Sequence, residues 1–132
     1  MKRNKQGFTL VEIMIVVAII ALLATIAVPN LLRAKMSAND AAAKATLKSL
    51  AAASETYAAT VSTGNYPTNM TALTGATPPY ISKNYCGTTV SGFAYTCPTQ
   101  AVSGYTFVAT PSTVGTSGST TFTITTGGVL TP

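Results

Sequence analysis

Residues 8–28 read FTLVEIMIVVAIIALLATIAV, an apolar run interrupted by a single charge, Glu12. At ~1.5 Å per residue this run makes a helix about 32 Å long, which matches a bilayer hydrocarbon core of roughly 30 Å. A secretory signal would have a shorter apolar region and a small-residue cleavage site before a non-helical start, whereas here the helical pattern continues. No glycine falls between Gly7 and Gly64, and Pro29 is the only proline in that interval, so helix is predicted to about residue 62. Over its second half Ala43, Leu47, Leu50, Ser54, Tyr57 and Val61 recur at spacings of four and three and form one mostly apolar stripe. Asp40, Lys44 and Lys48 follow one another at four-residue steps on another face, in the acid-before-base order that supports a helix. The second half is therefore amphipathic and the first half is not.

Past Gly64 the pattern changes. Residues 61–132 hold 26 of the serines and threonines, nine glycines and six prolines, so turns replace helix. Alternation marks short strands at YTFVA (Tyr105, Phe107, Ala109) and TFTIT (Phe122, Ile124), with a turn at Gly127-Gly128. Residues 85–90 and 93–97 suit a hairpin about Ser91-Gly92. The fold class this predicts is α+β: one long helix whose amphipathic half packs on an antiparallel sheet of three or four strands.

Charge alters the picture chiefly through its placement. All three acids and seven of the eight bases precede residue 56, and Lys83 is the one charge beyond it. Without Lys2, Arg3 and Lys5, which directly precede the apolar run, the net charge falls from +5 to +2. Bases on the N-terminal flank of a span are a cytoplasmic anchor, so nucleic acid is not an expected partner. With no histidine, a cysteine pair better explained as a bridge, and no acid after Glu55 to act as base or metal ligand, an enzyme is not expected, nor a metal or a cofactor. Cys86 and Cys97 lack the neighbours that would complete a metal site; a disulfide is expected, with two buried thiols as the alternative, and it implies an oxidising compartment.

Glu12 carries the most information. A carboxylate within a membrane helix costs about 2.5–3.5 kcal/mol on insertion scales, so it calls for a partner and a task. KRNKQG followed by FTLVEIMIVVAIIALLATIAVPN resembles the leader and N-terminal segment of type IV pilins and of their secretion-system relatives, the pseudopilins. Gly7 matches the residue before the processing cut, Phe8 the residue that becomes N-methylated, Glu12 the glutamate that follows, and Pro29 the proline at that depth. GNYPTNMTALTG with PPYI is similar to a connector common in both groups, and Tyr66 and Leu73 in it are expected to cover the stripe. Asn69-Met70-Thr71 also fits a glycosylation sequon.

The resemblance implies a pilin-like division: a leader at 1–7, a membrane and filament-core helix at 8–28, its amphipathic half at 29–62, and a Thr/Ser-rich β domain with a disulfide loop at 63–132. It further implies cleavage between Gly7 and Phe8 and methylation of the new amine by a membrane aspartyl peptidase. Before assembly the chain is expected in the bacterial inner membrane with its leader cytoplasmic. Afterwards it is expected in an extracellular helical filament of copies of itself, built on inner-membrane platform proteins. The residues supply a physical reading beside it. Glu12 of one subunit can counter the freed amine of another and so set registry, since a subunit docked at the wrong height leaves a buried charge alone. Pro29 predicts a kink or loosened turn. Major pseudopilins, the alternative to a pilus subunit, generally carry a calcium site in their C-terminal loops; residues 56–132 offer no carboxylate for one, whereas the Cys86 to Cys97 loop resembles the disulfide loop of pilins.

Overall fold

The computed structural model describes residues 7–61 and 63–132; the leader bases Lys2, Arg3 and Lys5 lie outside the described residues. The chain divides into two units, Met1–Ala34 and Lys35–Pro132, and helix α1, Leu10–Thr60, crosses the division.

In the first unit α1 starts with a capping box. Thr9 Oγ1 accepts from the Glu12 backbone N–H at 3.3 Å, and Glu12 Oε2 accepts from the Thr9 N–H at 2.9 Å. Each large apolar side chain over residues 8–31 stands 51% to 85% exposed, and this end of α1 is long and apolar enough to cross a membrane. Pro29 lies inside the helix, where it offers no N–H to the Thr25 carbonyl.

The second unit combines the rest of α1, the short helix α2 (Met70–Thr74) and five strands: β1 (Thr89–Val90), β2 (Phe93–Ala101), β3 (Gly104–Pro111), β4 (Phe122–Thr125) and β5 (Val129–Thr131). α1 stops where Thr63 and Gly64 take positive φ and the Gly64 N–H donates to the Ala58 carbonyl at 2.9 Å. Asn69 caps α2 by accepting from the Ala72 N–H. The strands form an antiparallel meander in chain order. Ser91 at φ 50° and Gly92 at φ 76° make the two-residue turn between β1 and β2, as expected for a hairpin whose turn must match strand twist.

The core is made by side chains from both layers. Ala43, Leu47, Leu50 and Ser54 of α1 are fully buried and belong with Leu73 of α2 and with the inward residues Phe93, Tyr95, Tyr105, Phe107, Phe122 and Ile124. Phe93 stacks on Phe122 at 5.9 Å and Tyr105 on Phe107 at 5.0 Å. The expected α+β class is the one found, with five strands in place of three or four: the strand expected at 85–90 is only the two residues of β1, the one at 93–97 lengthens to β2, and β5, at three residues, is too short to show alternation. Within the predicted stripe Tyr57 is half-buried and Val61 is exposed, since the helix ends at Thr60; Ala51, Ala53 and Ala58 are buried instead. Asp40 does not serve Lys44 along the helix. Its carboxylate accepts from the Ser119 N–H and hydroxyl, while Lys44 Nζ sits 4.7 Å above the centre of the Phe122 ring.

On the face of the sheet opposite to these core residues, cross-strand register aligns Thr96, Val108, Thr123 and Thr131 in one row. A second row joins Thr99, Thr106, Thr125 and Val129, and a shorter third joins Thr89, Ala94 and Thr110.

Candidate functional site

Four sequence-predicted site residues fall at the N-terminal end of the description or on α1. Gly7 precedes the helix, and among the described residues a Cβ placed on it would meet nothing within 4 Å. Phe8 is 85% exposed. Glu12 lies in the first turn of α1 and is exposed; both the Thr9 N–H and the Thr9 hydroxyl donate to the same oxygen, Oε2, the latter at 2.8 Å. Pro29 lies farther along the helix. The structure brings Thr9 and Glu12 together, a pairing that an S/T-x-x-E signature in TLVE makes readable but that sequence reasoning left out.

The Cys86–Cys97 disulfide is formed, with Cα atoms 5.6 Å apart, and ties the segment before β1 to the middle of β2. Around it the Gly87 N–H donates to the Tyr95 carbonyl, the Asn84 side chain accepts from the Cys86 N–H, and Tyr85 packs edge-on to Tyr95 at 5.7 Å. Tyr66 and Leu73 take part in the α1-facing core as expected, Leu73 fully buried and Tyr66 at its edge.

Two acids organise the second unit: Glu55, for which the sequence gives no role, and Asp40, whose expected partner along the helix is Lys44. Glu55 accepts from the Tyr66 hydroxyl at 3.0 Å, the Tyr105 hydroxyl at 2.9 Å and the Gly127 N–H at 2.9 Å, so one carboxylate joins α1, the connector, β3 and the β4–β5 turn. Partial burial works to raise the Glu55 pKa, but the bonds from Gly127, Tyr105 and Tyr66 outweigh it and hold it below the usual carboxylate range. Burial, then the bond to Glu55, push the Tyr105 hydroxyl well above its ordinary value. Near the other end of this stretch Asp40 holds Ser119, and Asn39 Nδ2 donates to the Ser117 carbonyl at 2.7 Å, which pins the β3–β4 loop to the helix. No sequence signal locates these pairs, whose members lie 11 to 79 positions apart.

An apolar helix end able to cross a membrane, bearing one carboxylate, together with a disulfide-tied meander over an amphipathic helix half, defines an α+β protein of pilin-like arrangement. Residues 2–28 match the prokaryotic N-terminal methylation motif. The chain is 44% identical over 71 residues to the type IV wide pilus major component PilA4 of Thermus thermophilus, covering 54% of this chain and 53% of that protein. It is 47% identical over 54 residues to the type IV major pilin protein PilA of Myxococcus xanthus, covering 41% and 24%. It is 41% identical over 56 residues to the type II secretion system core protein G of Pseudomonas aeruginosa, covering 42% and 39%. These matches span about half, or less, of the length of the relatives. Motif and relatives together show that part of the chain is similar to type IV pilins and pseudopilins.

Proposed function

We propose that the chain is a non-enzymatic structural subunit of a type IV pilus, cut between Gly7 and Phe8, methylated on the amine of Phe8, and assembled by packing its N-terminal helices. The observation that carries this reading is the apolar end of α1, exposed along its whole length and interrupted only by Glu12. In a bilayer that surface is at home; outside one, only other apolar helices can cover it. Gly7 fits the role of a cleavage residue, because nothing among the described residues needs a missing side chain there and an extended backbone in a protease cleft does. The cut removes Lys2, Arg3 and Lys5, the charges that hold the end in the cytoplasm.

Both local bonds to Glu12 use Oε2, so Oε1 remains to meet the new amine of a neighbouring copy. The ion pair then sets registry: alone, either charge is costly in apolar surroundings, and only one docking height pairs them. A loosened turn at Pro29 lets the long helices fit together. The partners on this reading are copies of the chain, the processing peptidase, the inner-membrane platform and, before assembly, the bilayer.

A second reading, the major pseudopilin of a type II secretion system, is favoured by the likeness to core protein G. The two differ in where the mature chain accumulates and in calcium dependence. Intact mass and N-terminal sequencing of protein from sheared cell-surface filaments is the test: an abundant chain starting at Phe8 with one added methyl group is expected. A chain that still starts at Met1, or one found only in membranes, would overturn the pilus reading. A Tm that rises with calcium would favour the pseudopilin.

A further inference from the structure

Past Pro29 the apolar run ends in Leu31 and Leu32, and two cations follow, Arg33 and Lys35. The function proposed above gives them no task. α1 runs unbroken through both, and both are exposed. Residues 13–32 carry no charge, so Glu12 and Arg33 frame an uncharged stretch of helix. At ~1.5 Å per residue the distance from Glu12 to Arg33 is about 32 Å, which matches the roughly 30 Å of a bilayer core. In a membrane the two charges therefore fall at its two borders.

The chain itself offers these cations no counter-ion. Helix cations ordinarily find carboxylates three or four positions away, yet neither Arg33 nor Lys35 has an acid at those positions on either side. The nearest acids along the chain are Glu12, at the opposite border and bonded to Thr9, and Asp40, whose carboxylate accepts from Ser119. A bilayer border supplies what is missing, because every phospholipid around the helix brings a phosphate. The planar guanidinium of arginine grips phosphate with two parallel bonds. Its stem, like that of lysine, lies along apolar surface while the charged head reaches outward. Two residues apart, Arg33 and Lys35 point roughly 200° from each other around the helix, so they meet lipids on opposite sides of it.

We infer that Arg33 and Lys35 form a lipid-anchoring site that binds the phosphate groups of the leaflet where the chain leaves its span, an inference that rests on the membrane and processing reading above. The leader bases Lys2, Arg3 and Lys5 hold the opposite border. Uncut, the helix is fixed at both ends. The cut between Gly7 and Phe8 removes three cations from one border and none from the other, so the mature helix is held only from the side toward which it leaves. Release from the bilayer thereby acquires a direction.

The experiment uses the full chain with Arg3→Lys, which leaves Arg33 as its one arginine. Arginine is labelled with carbon-13 at Cζ, and the chain is reconstituted in vesicles of phosphatidylethanolamine and phosphatidylglycerol in phosphate-free buffer. Solid-state NMR measures the separation of Arg33 Cζ from lipid phosphorus, and polarised infrared spectroscopy of oriented bilayers reads the direction of the helix. Expected is a helix across the bilayer with Cζ about 4 Å from phosphorus, the spacing of a direct guanidinium–phosphate pair. In the variant Arg33→Leu/Lys35→Leu the apolar stretch lengthens and sinks, and amide hydrogen exchange over residues 33–36 should slow about tenfold. A spanning helix whose Cζ lies out of reach of phosphorus, or a variant with unchanged exchange, overturns this inference alone. A helix that does not span the bilayer overturns the membrane reading and this one together.

Discussion

α1 passes through two settings that oppose each other. Over residues 35–60 it buries Ala43, Leu47, Leu50 and Ser54 under the chain's own sheet, and its charges sit at the margins. Over residues 8–28 it is apolar all round but for Glu12 and exposes what it has. Apart from the bond missing at Pro29, helix hydrogen bonding runs through both; what differs is who supplies the cover. The second unit finds it in its own sequence, while the first finds none among the described residues, so substitutions in the two settings should be felt by different measurements.

The largest effect is expected from Glu12→Ala. Filament yield should fall to near background while the Tm of the second unit, followed by near-UV circular dichroism in detergent, stays unchanged; normal assembly would refute the registry role. The sharpest comparison uses one residue type on one helix. Leu47→Ala, at 0% exposure, should lower the stability of the second unit by about 3–5 kcal/mol through lost contacts and a cavity. Leu22→Ala, at 67% exposure, should leave that stability where it was. Next in size is the disulfide: replacing Cys86 and Cys97 by serine frees a loop closed across 11 positions and should cost on the order of 3 kcal/mol in thermal or chemical unfolding.

Smaller again is the acid response of Glu55. Its pKa is lowered in the folded chain, so its contribution is fully present above the unfolded carboxylate value and is lost as pH falls through the lower folded value. Tm should therefore hold from neutral pH down to the ordinary carboxylate range and decline below it, and Glu55→Gln should flatten that decline. The smallest effect belongs to Tyr95, 1% exposed with a hydroxyl that finds no hydrogen-bond partner among the described residues. Tyr95→Phe should be neutral or slightly stabilising, within about 0.5 kcal/mol, because it removes a polar group that gains nothing from the fold.

Much of this contrast is legible in the residues. A run from Phe8 onward with one acid needs no neighbours to be recognised, and neither do the turn pairs Ser91-Gly92 and Gly127-Gly128, whose positive φ values suit glycine. The cysteine pair is readable because no other chemistry competes for it. What resists reading is anything whose partner is remote. Glu55 looks like a solvated helix acid until Tyr105 and Gly127 arrive from the sheet. Asp40 looks like the partner of Lys44 until the β3–β4 loop folds onto it. Ala51, Ala53 and Ala58 give too weak a hydrophobic signal to mark a buried side, and Val61, just past the end of α1 at Thr60, stays exposed.

The two straps on α1, Asn39 and Asp40 at one end and Glu55 at the other, bear on how the molecule carries load. Tension applied along the helix reaches the strap at residues 39 and 40 before it reaches the Leu47 and Leu50 core. The β3–β4 loop and the β4–β5 turn, held at opposite ends, share that tension with the sheet. Pulling must then shear several bonds at once instead of peeling them singly, and the second unit resists extension as one block.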